Sequence, residues 1–397
     1  MGTQLSCSLK SLSKLTRRSL IASAALLPSL AHAQVALGQR LVQAIITQIR
    51  GLGQGPALLP SYLIRTSAHA NDFDITQSNV AYVYDNALAG LFLFNAGYTM
   101  EALRIAQALE IAQSHDRFFH DGRLRNAYAA GPMYLPAKLP GFWNNKTNQW
   151  DEDPYQVGSD TGPIAWAMLL WAKVGMEAPA NKAGDFLNAT LKAPLGYYGG
   201  LYGYDQSQQK LLWESTEQNL DLAVASKKLN RTADAEHAKA FVEAAYNPQE
   251  KLYKTGLTAD GHPGAMLAAD AGIWPYLAGI GRPESAERAI DRLRHGEGIG
   301  FSDASNGIWL EGTAFAALAL RSIRGALATS FMDTIQENVS PQGYVYATVS
   351  PVLRTGLKVG PPLKNSLPPQ DFNYYRYPAL STTSWAGMAA LNINPLS

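Results

Sequence analysis

The stretch Val83-Tyr84-Asp85-Asn86-Ala87-Leu88-Ala89-Gly90-Leu91-Phe92-Leu93-Phe94 is apolar almost all round a helix, and only Asp85 and Asn86 interrupt it near its start. A helix with no polar face has to be buried on every side. After the short turn Asn95-Ala96-Gly97-Tyr98, the segment Thr99–Ser114 becomes amphipathic. Met100, Leu103, Ala106, Leu109 and Ala112 recur at helical spacing, with Glu101, Arg104 and Glu110 among the rest. So short a connection sets the two helices antiparallel. The unit is therefore a hairpin of one buried helix and one half-solvated helix.

The unit recurs along the chain. Ile164–Trp171, Leu220–Ala225, Ala265–Leu277 and Leu310–Leu320 are apolar runs rich in alanine and glycine. Thr232–Tyr246, with Thr232 as the expected N-cap, and Glu284–Arg294, with Pro283 in its first turn, are amphipathic. The pattern predicts helices over 37–51, 82–96, 99–113, 161–174, 180–191, 216–229, 232–246, 265–279, 283–294, 310–322, 325–338 and 379–391. Pro275 falls inside one of them and predicts a kink. Repeats of this length form arrays of supersecondary units. These copies share no fixed signature, which argues against an open tetratricopeptide-like solenoid. Buried helices alternating with amphipathic ones fit two concentric rings, an all-α (α/α)6 toroid closed by the first and last helices. An irregular α-solenoid is the alternative.

The chain opens with Lys10, Lys14, Arg17 and Arg18, then an apolar run from Leu20 to Leu30, then Ala31-His32-Ala33. That order reads as a leader over residues 1–33, too short in its apolar part to span a bilayer. The Arg17-Arg18 pair suggests the twin-arginine route, with an ordinary secretory signal as the alternative. Residues 34–397 then form one domain, expected to be periplasmic or secreted, bacterial and monomeric. The single cysteine, Cys7, lies in the leader, so no disulfide or thiolate ligand is expected beyond it. A net charge of +1 gives no footprint for nucleic acid or an anionic membrane. No second long apolar stretch predicts a membrane span.

Long loops rich in glycine, proline and aromatics lead into the apolar helices, and so gather at one mouth of the ring. Each apolar helix also opens with a similar event: Tyr84-Asp85-Asn86, Ser159-Asp160-Thr161, Trp213-Glu214-Ser215-Thr216-Glu217, Ala269-Asp270-Ala271, Trp309-Leu310-Glu311 and, without an acid, Leu380-Ser381-Thr382-Thr383. In a toroid these positions converge. Hydrolysis of a glycoside needs one protonated and one ionised carboxyl facing each other across the bond. Helix N-termini favour the ionised form, and burial favours the protonated one. Asp85, Glu217 and Glu311 are the candidate catalytic acids. Tyr84, Trp143, Asp160, Trp213, Glu214, Asp270 and Trp309 are candidates for sugar contact, and Trp150, Tyr202 and Tyr204 add aromatic faces to the mouth loops.

Plainer readings stand beside these. Ser215 and Gln218 have capping-box spacing, Asp160 suits an N-cap, and a structural hydrogen bond would explain Asp270. Trp166, Trp171, Trp274 and Trp385 read as core, and Asp72 with Asp74 as turn chemistry.

The stretches Val83–Leu88, Glu214–Asp221, Trp309–Ala314, Thr383–Trp385 and Asn394-Pro395 resemble the six-hairpin glycosidase superfamily over about residues 37–395, including a group of exported bacterial members. The resemblance implies a carbohydrate substrate and, as in many members, inverting hydrolysis. It does not fix which acid donates the proton. A polysaccharide lyase would instead need a Tyr or His base and a uronate neutraliser; His69, His120, His262 and Asn86 are available, without a basic cluster. A non-catalytic glycan-binding toroid is the third reading. No Asp-Asp-x-x-Asp run and no His-x-x-x-His pair suggests a metal, and no cofactor is expected.

Overall fold

The computed structural model describes residues 16–64, 72–360 and 370–397. His69 and the first fifteen residues of the expected leader lie outside the described residues. Thirteen helices occur among the described ones: α1 (Thr16–Gly51), α2 (Asp72–Gln77), α3 (Val83–Asn95), α4 (Thr99–Ser114), α5 (Thr161–Val174), α6 (Glu177–Thr190), α7 (Thr216–Lys228), α8 (Thr232–Ala244), α9 (Ala269–Leu277), α10 (Pro283–Leu293), α11 (Leu310–Leu320), α12 (Gly325–Glu337) and α13 (Leu380–Leu391). None is long and apolar enough to cross a membrane.

The apolar helices α3, α5, α7, α9, α11 and α13 pack in a closed cycle. Each contacts the next, and α13 returns to α3. Behind them, α4, α6, α8, α10 and α12 each pack on the inner helix of their own hairpin, while α1 packs on α13. The first and last long helices thus pair, as the sequence predicts. Alanine and glycine allow the close approach. At Gly387 of α13 a Cβ would lie 2.1 Å from the Phe92 ring of α3.

A second cycle, of backbone hydrogen bonds, runs round the mouth. The first residue of every inner helix donates its N–H to a carbonyl in the segment that leads to the next. The bonds are Val83 to Asn126, Thr161 to Gly199, Thr216 to Thr255, Ala269 to Phe301, Leu310 to Ala347 and Leu380 to Ser61, all 2.9–3.0 Å. A helix N-terminus leaves such N–H groups without intrahelical partners. Here each of these six links one hairpin to its neighbour.

The mouth loops are more ordered than an all-α reading expects. They fold into short antiparallel ribbons, among them Val80–Tyr82 with Ala127–Ala129, Ser159–Asp160 with Gly200–Tyr202, and Val352–Val359 with Gln370–Tyr375. Other expectations also need correction. Asp72 and Asp74 form the first turn of α2, not an isolated turn. Thr232 is the first helical residue of α8, with Arg231 at the N-cap and no side-chain cap. Residues 265–268 are not helical: Ala268 bridges to Ser302, and α9 begins at Ala269. The buried face of α4 is rotated, leaving Met100 70 % exposed. Arg104 instead turns inward, donating to the carbonyls of Ile49 and Gly55, and Glu101 pairs with Arg50.

Candidate active site

Because the six inner helices start at equivalent places, their residues fall into matched layers. The second residues are Tyr84, Gly162, Glu217, Asp270, Glu311 and Ser381. One turn deeper, the sixth residues are Leu88, Trp166, Asp221, Trp274, Phe315 and Trp385. The deeper layer is a floor, each member at most 1 % exposed. Its aromatic rings touch edge to face or tilted: Trp166–Trp274 and Trp274–Trp385 at 5.6 Å, Trp166–Trp385 at 6.0 Å, and Phe315 at 5.5 Å from both Trp274 and Trp385. Reading these tryptophans as core is therefore right, and three of them also form the base of the acid layer.

Above the floor the carboxyls gather. Glu311 is 2 % exposed and accepts two hydrogen bonds, from Tyr84 Oη to Oε1 and from Ser381 Oγ to Oε2, each 2.7 Å. Trp385 Nε1 in turn donates to Tyr84 Oη at 2.9 Å. Burial pushes the Glu311 carboxyl up to about 7, while the two donors favour its charge. Asp85, the third residue of α3, is pushed to about 8 by burial, against the pull of Ser61 and Ser381 and with the help of Glu311. Glu217 is half-buried at its surface, yet its carboxyl is raised well above the usual range by desolvation and by Asp270, Asp221 and Glu311. Asp270 shares a hydrogen bond with Glu217 and accepts from the Ala271 N–H at 2.6 Å. Asp270 itself rises only to about 6.

The ring of acids extends to α5. Asp160 precedes the first residue of α5, but its side chain does not cap the helix. Asp160 is 4 % exposed, Oδ1 has no hydrogen-bond partner, and burial lifts the carboxyl to about 7. The capping role is real at Ser215, whose Oγ accepts from Gln218 N–H at 3.3 Å, which leaves Glu217 free of it. Tyrosines border this layer. Tyr62 feels Asp85 and Glu311, Tyr155 feels Asp160, Glu217 and Asp85, and Tyr374 feels Glu311, Asp85 and Asp270.

The other candidates sit further out. Trp309 is 3 % exposed, sandwiched by Phe301, Phe315 and Tyr374, so it backs Tyr374 and does not face the opening. Trp213 packs on the bare backbone of Gly199. Glu214 pairs with Leu257 across a short ribbon; desolvation alone raises it to about 7, and no acid of the ring acts on it. Trp143 and Trp150 face each other across the ribbon Phe142–Asn144 and Gln149–Asp151, both more than half exposed. Tyr202 is buried and Tyr204 exposed. The residues missed by sequence reading are Asp221, Ser381 and the rim tyrosines Tyr62, Tyr155 and Tyr374. Asp221 carried a signal: it lies four residues after Glu217, on the same helical face.

Two surface depressions, about 510 and 400 Å³, lie on outer helices and include none of these acids. Among the described residues no group of three or more acids, histidines or cysteines is placed to hold a metal ion.

Solved structures share this architecture. A wild-type glycosidase aligns over 92 % of this chain and 99 % of its own, with TM-score 0.56 and 13 % identity. A sugar epimerase from a ruminal bacterium aligns over 89 % and 98 %, with TM-score 0.55 and 13 % identity. An alpha-amylase from Clostridium perfringens aligns over 88 % and 96 %, with TM-score 0.58 and 10 % identity. At such identities the likeness speaks for the fold. No family model and no curated protein sequence matches the chain.

Proposed function

We propose that the chain is an exported glycoside hydrolase, one (α/α)6 toroid of the six-hairpin glycosidase kind over residues 34–397, which cleaves a glycan by paired-carboxyl acid/base catalysis. The observation that carries this reading is the contrast between two acids of one ring, on the helices either side of α9. Glu311 takes hydrogen bonds on both oxygens, which suits the ionised form, whereas Glu217 lies against Asp270 and Asp221, whose charges favour its protonated form. Glu217 is the general acid, delivering its proton to the leaving oxygen. Glu311 is the general base, drawing a proton from the attacking water, with inversion as the outcome that the resemblance implies. Asp85 tunes Glu311 and binds sugar hydroxyls. The basic and then apolar start of the chain supports export, to the periplasm or beyond.

Elimination has less support. Asn86 is occupied by Leu59 and Tyr82, and His120 and His262 are exposed on loops. The test is a panel of soluble glycans scored for new reducing ends, with Glu217→Gln and Glu311→Gln as folded controls. Turnover that both variants abolish supports the reading. Unsaturated uronate products, or full activity in Glu311→Gln, overturn it. Glycan binding without any turnover points to the non-catalytic alternative.

A further inference from the structure

Asp221 breaks the pattern of its layer. The five equivalent floor positions hold Leu88, Trp166, Trp274, Phe315 and Trp385, and α7 alone places an acid there. Asp221 has no exposed surface, and among the described residues neither carboxyl oxygen has a hydrogen-bond partner of good geometry, although the Trp166 indole N–H pulls toward its charged form. It lies one turn below Glu217 and faces Asp270 from across the α7–α9 contact. Three acids therefore meet at one seam of the ring: Glu217 and Asp270 in the upper layer and Asp221 beneath.

The seam has to sort its protons. Two carboxyls crowded into a buried seam, as Glu217 and Asp270 are, do not both ionise readily, so one of them keeps a proton. Asp270 is the better anion. It sits in the first turn of α9, where the helix dipole favours negative charge, and the Ala271 N–H donates to it at 2.6 Å. Asp221 is a poor anion, since an unpaired charge in a floor of indole rings is costly. The described neighbours offer no countercharge. From α5 come Trp166 and the side-chain-free Gly162, from α11 comes Glu311, and from the rim come Tyr155 and Tyr374. From α3 comes Tyr84. Among the described residues no basic side chain acts on Asp221, Asp270 or Glu311.

We propose that Asp270 is a positioning residue, the principal negative charge of the seam, which keeps a proton on Glu217 above the more deeply buried Asp221. This assigns Asp270 to holding the proton donor ready and not to sugar contact, and it rests on Glu217 being that donor. Asp270 is the stronger of the two carboxyl influences on Glu217 and Asp221 the weaker, so Asp270 has the larger say in where the proton lies.

The experiment compares Asp270→Asn with Asp221→Asn in the full chain, reading the alkaline limb of the kcat/KM profile on whichever glycan the panel identifies. Asp270→Asn removes the anion, so Glu217 loses its proton more easily, and the limb moves to lower pH by roughly 1 to 3 units. Asp221→Asn removes the weaker influence and moves the limb by clearly less than Asp270→Asn. Asp270→Glu keeps the charge and restores part of the range. The reverse pattern, a limb moved by Asp221→Asn and not by Asp270→Asn, overturns the proposal. Infrared difference titration of the carboxyl bands, assigned with Glu217→Gln, reads the same protonation without substrate. It tests the seam even if no glycan is cleaved: a Glu217 band that titrates identically with and without Asp270 also overturns the proposal. Unfolding of Asp270→Asn would be seen by circular dichroism, and Asp270→Glu with the infrared titration then decides.

Discussion

The hydroxyl of Tyr84 donates to Glu311 Oε1 at 2.7 Å across 227 residues of sequence, joining the first inner helix to the fifth. Tyr84 also receives the Trp385 indole N–H, so the pair ties the floor to the acid layer. A hydrogen bond to a charged group contributes about 1.5–3 kcal/mol. Tyr84→Phe removes it and destabilises the ionised Glu311, whose carboxyl already stands at about 7. The carboxyl then rises further, and the acidic limb of a base-dependent reaction moves to higher pH by about one to two units. A kcat/KM profile of the variant measures this. An unmoved limb would show that Glu311 is not the base.

The same acids set how stability depends on pH. Asp85 at about 8, Asp160 and Glu311 at about 7 and Asp270 at about 6 all lie above their ordinary values of 3.8 or 4.5. The folded protein thus holds these protons more tightly than the unfolded chain does. The sign follows: their contribution is complete below about pH 4 and is lost as pH rises through 6 to 8. For each buried carboxyl the loss is about 1.4 kcal/mol for every pH unit between its titration in the unfolded chain and in the folded protein. The expected result is a Tm that falls from mildly acidic to mildly alkaline pH. Asp85→Asn or Glu311→Gln should flatten that slope. A Tm that climbs from pH 5 to 8 would contradict the burial of these carboxyls.

The helical hairpins were legible in the sequence because burial leaves a direct trace. A run such as Val83–Phe94 has no polar face, and nothing but an interior position accommodates it. The acids of the ring were legible for the converse reason: Asp85 and Glu311 interrupt such runs, and a buried carboxyl needs a partner or a task. Other features depend on tertiary contact and left little trace. The six N–H bonds round the mouth are backbone bonds, which any residue type can make. The burial of Trp309 depends on Tyr374, which arrives from a ribbon more than sixty residues later in the chain. Asp221 was visible as an i, i+4 partner of Glu217, but the contrast that marks it, five apolar residues at equivalent floor positions, emerges only when the helix starts are aligned in space.

A buried ion pair outside the acid ring holds the mouth loops. Arg125 has no exposed surface; it bonds both oxygens of Asp116, Asp205 Oδ1 and the Val157 carbonyl. The adjacent Asn126 fixes Asp160 N–H at 2.7 Å, so this network reaches the acid ring through one residue. Asp116 is held below the usual carboxylate range by Arg125 and by the N–H groups of Phe118 and Phe119, despite its burial. Arg125→Ala strands Asp116 without a counter-ion. Breaking a buried pair this way costs about 3–5 kcal/mol. Urea melts near neutral pH should show that loss, and a change within a few tenths of wild type would refute the structural role.

Two glycines test the ring closure against each other. At Gly387 of α13 an added Cβ would stand 2.1 Å from Phe92 Cζ and 2.4 Å from Cε1, inside the seam where the last inner helix meets the first. The Phe92 ring is wholly buried and cannot swing into solvent, so the two helices have to part. Overpacking of a tight core costs about 1–3 kcal/mol. Gly325, at the start of the outer helix α12, has nothing within 4 Å of that position, and alanine there should stabilise by up to about 1 kcal/mol through helix propensity. Chemical denaturation of Gly387→Ala and Gly325→Ala should therefore move the midpoints in opposite directions. If Gly387→Ala is neutral, α13 and α3 are not in contact at this seam, and the hairpins form an open array with no closed ring.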